Sequence, residues 1–256
     1  MNLVAKGLPN PLHGRVSTQQ AITDTLRRAI IEGRLLAGES LRQEELARQF
    51  EVSRIPVREA LRQLEAEGWI VFLANKGASV APLSIEEARE VYDILAALEC
   101  AALRLAMPHH TLSTLGKAEE ALYAPSTGAE DVRRNSDFHL ALYAPAQRPA
   151  LLNLITTQRQ RGQRYLRLYF AMPNFKQQTE TEHAEILRAC VERDVVRAVA
   201  LLDRHLSQTG EMLVRYLEEQ VQDRGNGGVD EALVALQQKV ASSESDALSG
   251  VGCASP

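Results

Sequence analysis

Three histidines occupy positions that a helical reading turns inward. His139 shares a helix face with Asn135 and Leu142, His183 with Ile186, Leu187 and Cys190, and His205 with Ala198, Leu201, Leu202 and Met212. A lone histidine on an apolar stripe is ordinarily a core residue satisfied by hydrogen bonds. Three of them on three helices suggest a shared centre, because neutral imidazoles are the commonest ligands for transition metals and a helix bundle is a usual place to gather them. His13, His109 and His110 lie outside or at the edges of helical stretches and receive no role. A second set is cationic. Arg54, Arg58 and Arg62 recur at i, i+4, i+8, beside Val57, Leu61 and Leu64 at i, i+4, i+7. At about 100° per residue the guanidinium stripe lies roughly 100° from the apolar one. Such forks either solvate the helix by pairing with Glu59 and Glu65, or contact guanine edges and phosphates.

The elements that must carry these residues fall into two regimes. A first helix spans Thr18–Glu32, with Ile22, Leu26 and Ala29–Ile30 inward and Gly33 at the C′ position. A second covers Gln43–Phe50, and Glu51-Val52-Ser53 connects it tightly to a third, Arg54–Glu67. Ser53 is placed to N-cap that third helix, Pro56 falls in its first turn, and Gly68 ends it. Apolar β-formers at Trp69–Leu73 and Ala78–Pro82 flank an Asn75-Lys76-Gly77 turn and read as a hairpin. This order is that of a winged helix-turn-helix, with Lys76 and Gly77 at the wing tip suited to a phosphate or minor-groove contact.

From Ser84 onward the pattern is helical. Ser84 and Glu87 have the spacing of a capping box and open a helix to about Met107. Five more follow at about Thr111–Tyr123, Ala129–Tyr143, Arg148–Ala171, Lys176–Glu192 and Val195–Val221. The expected fold is therefore mainly α: an N-terminal winged helix-turn-helix plus a C-terminal six-helix antiparallel bundle. The expected divisions are an N-terminal arm (1–14), a DNA-binding domain (15–82), an all-helical domain (83–222), and a Gly-, Ser- and Ala-rich tail (223–256) expected to be mobile.

Composition narrows the class. The chain has 256 residues, 45% of them apolar and 24% charged, which excludes wholesale disorder. No run approaches the roughly 18 apolar residues of a membrane span, and Met1–Arg15 lacks the pattern of a secretory signal. Cys100, Cys190 and Cys253 are too few and too widely spaced for a disulfide framework or a zinc-finger spacing, so a reducing cytoplasm is expected. Residues 15–82 hold ten Lys+Arg and nine Asp+Glu, a net of +1 that leaves −5 of the total −4 elsewhere. Charge balance alone neither supports nor excludes nucleic acid.

The wording of the N-terminal part is specific. LRQEELARQFEVSRIPVREALRQL (Leu41–Leu64), then Glu67-Gly68-Trp69 and Asn75-Lys76-Gly77-Ala78, closely resembles the winged-helix domain of the GntR family of bacterial transcription regulators. Ala29–Gly33 and Ala37-Gly38 match that family's opening. The resemblance implies that Ser53, Arg54, Ile55 and Arg58 face the operator, with Lys76-Gly77 at the wing tip; Arg62 joins them as the next residue of the arginine stripe. Ile55 stands where Thr is common, and Glu51 where Gly is usual, which implies some backbone cost. Asn135–Leu142, Glu182–Leu187 and Asp203–Leu206, with Glu99, look like the signatures of the FCD-type effector domain of the FadR-like subfamily.

That second resemblance implies a dimer on a palindromic operator, a small organic acid as effector, and a divalent metal (zinc, nickel, manganese or iron) held by His139, His183, His205 and a carboxylate one turn before the first histidine. Here that position is Asn135, an uncharged donor, and Asp137 points elsewhere on the helix. Leu95 stands where the subfamily often carries an effector-binding Arg. Arg161, on a stripe with Leu151, Leu154, Gln158, Tyr165 and Leu168, is a candidate replacement with Tyr165 beside it. The alternative is that Arg161 pairs with a glutamate. A metal-dependent enzyme on the same histidines would need a general base that no other carboxylate offers, and a metal-free scaffold is the third reading.

Overall fold

The computed structural model describes residues 17–73, 77–125, 129–170 and 175–223. Lys76, the N-terminal arm and the tail beyond Asp223 lie outside the described residues. The rest forms two compact units dividing between Leu83 and Ser84.

In the first unit, α1 (Thr18–Ile31), α2 (Gln43–Gln49) and α3 (Arg54–Ala66) pack with a three-stranded antiparallel sheet of β1 (Ser40–Leu41), β2 (Ile70–Leu73) and β3 (Gly77–Val80) in the order β1-β3-β2. Ile22, Leu26, Leu46, Phe50, Val57, Leu61 and Leu64 are fully buried, so the apolar stripes of all three helices meet in one core. β2 pairs with β3 in the register Phe72↔Ala78 and Leu73↔Gly77. The strand β1, two residues long and paired Ser40↔Ser79, was too short to announce itself by alternation. Gly38 at φ +77 turns the chain into it and donates to the Val80 carbonyl at 2.9 Å. Glu51 sits at φ +55, the left-handed region that costs a residue with a Cβ about 1–2 kcal/mol. The departure from glycine noted in the sequence therefore has a real backbone consequence.

The second unit is a bundle of α4 (Ile85–Ala106), α5 (Leu112–Tyr123), α6 (Ala129–Tyr143), α7 (Pro149–Phe170), α8 (Phe175–Val191) and α9 (Val195–Asp223). Pro108 and Pro145 lie in single 3₁₀ turns that end α4 and α6. Helix α4 packs against α6, α7 and α9, and α5 against α6 and α8. Where α4 and α9 cross, Gly210 admits the close approach: a Cβ there would stand 2.7 Å from the Tyr92 Cβ. The capping box expected at Ser84 is half formed. Ser84 Oγ accepts from Glu87 N–H at 3.1 Å, but the Glu87 carboxylate turns to α7 instead of back to the cap. A complete capping box instead opens α5, from Thr111 and Thr114.

Candidate functional site: a DNA-reading face and a three-histidine centre

The apolar stripe of α3 fixes which side of the helix stays outside. With Val57, Ala60, Leu61 and Leu64 at zero exposure, Ser53, Arg54, Ile55, Arg58 and Arg62 are all exposed together. Ser53 occupies the N-cap position with no side-chain cap bond, so its hydroxyl is available outward. Arg54 meets Glu44 at 2.9 Å and Arg58 meets Glu59 at 3.4 Å, but all four side chains are at least 41% exposed. Such surface pairs contribute about 0–1 kcal/mol and yield readily to phosphate or a base edge. Ile55 is 64% exposed beside them, an apolar surface of the kind that contacts a thymine methyl. Gly77 opens β3, exposed at φ +79.

In the second unit the structure brings Asn135, His139, His183 and His205 together, and leaves Arg161 and Tyr165 out. The three imidazoles come from α6, α8 and α9 and are 1%, 3% and 5% exposed. His183 Nε2 lies 3.1 Å from His139 Nε2 and 3.2 Å from His205 Nε2. These separations suit ligands placed around one ion at about 2.0–2.1 Å. Phe138 stacks on His183, with ring centroids 4.2 Å apart, and locks its plane.

The outer nitrogens decide the protonation pattern. Tyr143 donates to Glu99 Oε2 at 2.6 Å, so its oxygen accepts from His139 Nδ1 at 2.9 Å. His205 Nδ1 lies 2.6 Å from Glu182 Oε2 and donates to it. Both rings therefore carry their proton on Nδ1 and present a bare Nε2 lone pair inward. Burial, with Arg159 and then His205 adding to it, holds His139 well below the usual imidazole range; His183 is lowered likewise by burial and its two neighbours. Neutral His183 has at most one proton on Nε2 and cannot satisfy both facing lone pairs. The residues present thus fit a divalent cation, and the contacts of Glu182 with His205 and of Tyr143 with His139 are of the kind that orient metal ligands. Burial is the largest influence on the Glu182 carboxyl and pushes it up, but the hydrogen bonds from His205 and Gln178 together with the charges of His205 and Arg204 leave it below the usual range.

The centre opens on a small recess lined by Asn135, His139 and His205 together with Arg159, Tyr169, Thr179 and Thr209. A second small recess shares Asn135 and Thr179 and reaches His183, Arg134 and Lys176. Within the first, Arg159 is the cation. It holds Glu99 through Nη2 at 2.7 Å and Nε at 2.6 Å, and donates to Asn135 Oδ1 at 3.3 Å. Tyr169 Oη and Thr179 Oγ1 are buried there without a hydrogen bond of regular geometry.

The arginine of α7 that lines the recess is Arg159, two residues before Arg161. Leu154 is 53% exposed, whereas Ile155, Arg159, Gly162, Leu166 and Tyr169 form the inward heptad row of α7. Two residues are about 200° of helix, so Arg161 turns away and pairs with Glu87 at 3.1 Å, the glutamate-pairing alternative. Tyr165 is buried but donates to the same Glu87 at 2.5 Å and accepts from Ser84 N–H. A strict i, i+4, i+7, i+11 reading from Ile155 would have exposed Arg159; nothing local marks Tyr143 or Glu182 as supports.

An exposed arginine-bearing helix in one unit and a buried histidine cluster in the other are the arrangement expected of a DNA-binding regulator with an effector-sensing part. Comparison with known proteins agrees. Residues 18–80 match the family described as bacterial regulatory proteins, gntR family, and residues 90–208 match the FCD domain. The chain belongs to the GntR family of transcription regulators, in the branch that carries an FCD domain. It is 28% identical over 217 residues to an uncharacterised HTH-type transcriptional regulator, BphR, of Paraburkholderia xenovorans, covering 80% of this chain and 89% of that protein. It is 26% identical over 206 residues to the HTH-type transcriptional repressor RspR of Escherichia coli, covering 78% and 90%. The solved structure of E. coli McbR/YncC has the same fold, with a TM-score of 0.67 at 23% identity over 78% of this chain and 99% of that one. The chain is a transcription regulator and not an enzyme. No described helix is long and apolar enough to cross a membrane.

Proposed function

We propose that this chain is a repressor in the cytoplasm that binds a palindromic operator as a homodimer and responds to a small organic carboxylate received at the three-histidine centre. The observation that carries the reading is the pair of inward Nε2 lone pairs, on His139 and His205, facing a recess within the second unit. A divalent ion such as zinc, nickel, manganese or iron supplies a Lewis-acid anchor there for a carboxylate. His139, His183 and His205 hold the ion, Tyr143 and Glu182 fix the rings, and Arg159 with the hydroxyls of the recess orients the acid. Arg54 and Arg58, with Ser53, Ile55 and Arg62, meet the operator, and Lys76-Gly77 reach the backbone or minor groove. One such unit covers only about 600–1,000 Å² of contact, so pairing two on adjacent half-sites gives the affinity and reach that regulation needs. Repression follows the name of the E. coli relative. Binding of the acid shifts the population of the operator-competent arrangement by its differential affinity for it.

A thermal-shift screen of metal-stripped and metal-loaded full chain against small carboxylic acids tests this. Metal-dependent stabilisation by at least one acid is expected, since a native-state ligand raises Tm by mass action. Melting temperatures unmoved by metal and by every acid would refute it.

A further inference from the structure

The centre offers a divalent ion only uncharged donors. Among the described residues the ligand group is His139, His183 and His205, with no aspartate, glutamate or cysteine joining it. Asp137 is exposed on the outer face of α6. The two nearest carboxylates are already committed on the far sides of the rings. Glu99 binds Tyr143 and Arg159, 3.4 Å behind His139 Nδ1, and Glu182 binds His205 Nδ1. Asn135 adds a neutral oxygen that already accepts from Arg159. Glu99 cancels Arg159, and Glu182 offsets one of the two charges of the ion. One positive charge then stays uncompensated among side chains that are nearly all below 10% exposed, where an unpaired charge is costly.

On the reading that the centre holds a metal, we infer that this chain binds metal and carboxylate ligand as one unit. The ligand brings the anionic oxygen that Asn135 withholds, so each partner binds weakly alone and strengthens the other. The recess has the walls for it: it opens directly on His139 and His205, and Ser136, Tyr169 and Thr179 add hydroxyls for the remaining oxygens of a small acid. Metal and effector then act as a joint signal, and the regulator answers neither by itself. Thermodynamic linkage makes the coupling symmetric: the factor by which the carboxylate tightens the metal equals the factor by which the metal tightens the carboxylate.

The test uses metal-stripped full chain titrated with cobalt(II), read by its visible absorption, with and without excess acetate at constant ionic strength. Acetate probes the missing charge without assuming the natural effector. Cobalt affinity is expected to rise at least about tenfold with acetate, within the usual span of coupling between two ligands. Acetate should raise Tm only when cobalt is present. Asn135→Asp should bind cobalt alone at least about tenfold tighter than the parent and lose most of the acetate response. Parent protein that binds cobalt equally well with and without acetate overturns the coupling and leaves the metal reading standing. Parent protein that binds no cobalt under either condition overturns the metal reading itself. The linkage measurement on the parent decides even if the Asn135→Asp chain does not fold.

Discussion

The hydroxyl of Tyr143 is the most informative single atom to remove. It takes a hydrogen bond from His139 Nδ1 at 2.9 Å and gives one to Glu99 Oε2 at 2.6 Å, in a place where the tyrosine and the glutamate are both fully buried. Tyr143→Phe deletes both bonds and leaves the ring volume unchanged, so no cavity cost intrudes. The bond to Glu99 involves a charge and contributes about 1.5–3 kcal/mol, and the one from His139 about 0.5–1.5 kcal/mol. Glu99 keeps Arg159, and His139 Nδ1 can settle onto Glu99 Oε2, already 3.4 Å away, so part of the loss is recovered. The expected destabilisation of metal-free protein is therefore about 2 kcal/mol, below the simple sum. His139 loses the Tyr143 contact that orients its ring, and metal affinity should fall about tenfold, the low end for an outer support of a ligand. Urea unfolding of metal-free chain measures the first effect and a metal titration the second. Unchanged stability together with unchanged metal affinity would falsify the proton assignment on which the centre rests.

Three further outcomes are expected. Arg54→Ala and Arg58→Ala should each weaken operator binding by about 1–3 kcal/mol with unfolding unaltered, and gel-shift titrations equal to the parent for both would remove α3 as the reading helix. Gly210→Ala places a Cβ 2.7 Å from the Cβ of Tyr92, which has no flexible end to move, so it should destabilise the bundle by about 1–3 kcal/mol despite the better helix propensity of alanine; a raised Tm would contradict the close crossing of α4 and α9. Stability of metal-free protein should fall in acid. His139 and His183 are held well below their ordinary range, and His110 is pushed down to about 4 by burial and then by Arg193. For such groups the unfolded chain takes up protons first, so their contribution is complete above an unfolded value of about 6.5 and is lost as pH drops below it. Flat stability from neutral pH to about 5 would show that these rings are not buried and neutral.

Much of this was legible because periodicity speaks for one helix at a time. The spacing of Val57, Leu61 and Leu64 against Arg54, Arg58 and Arg62 gave both faces of α3, and the structure places them as that spacing requires. The three histidines were legible for the same reason, each lying on the apolar side of its own helix. What sequence spacing lacks is the pairing between elements. Glu99, Tyr143 and Arg159 come from α4, α6 and α7 and meet only after the bundle closes. Arg159 was missed because Leu151 and Leu154 biased the phase of α7 toward a face that the fold leaves partly open. The half-formed box at Ser84 has the same origin: the spacing was right, but two arginines and a tyrosine of α7 outbid the backbone for the Glu87 carboxylate. The strand β1 depends wholly on β3 for its definition and carries no pattern of its own.

The central claim is that the histidine centre controls the DNA-reading unit. It is tested most directly by operator affinity of the full chain, using a site obtained by in-vitro selection, with and without metal plus an acid that stabilises the protein. The account predicts a change of about 5–150-fold in the parent, and no change in His205→Ala, whose affinity without ligand matches the parent. An equal response in His205→Ala, or none in a parent chain that demonstrably binds the acid, would contradict it.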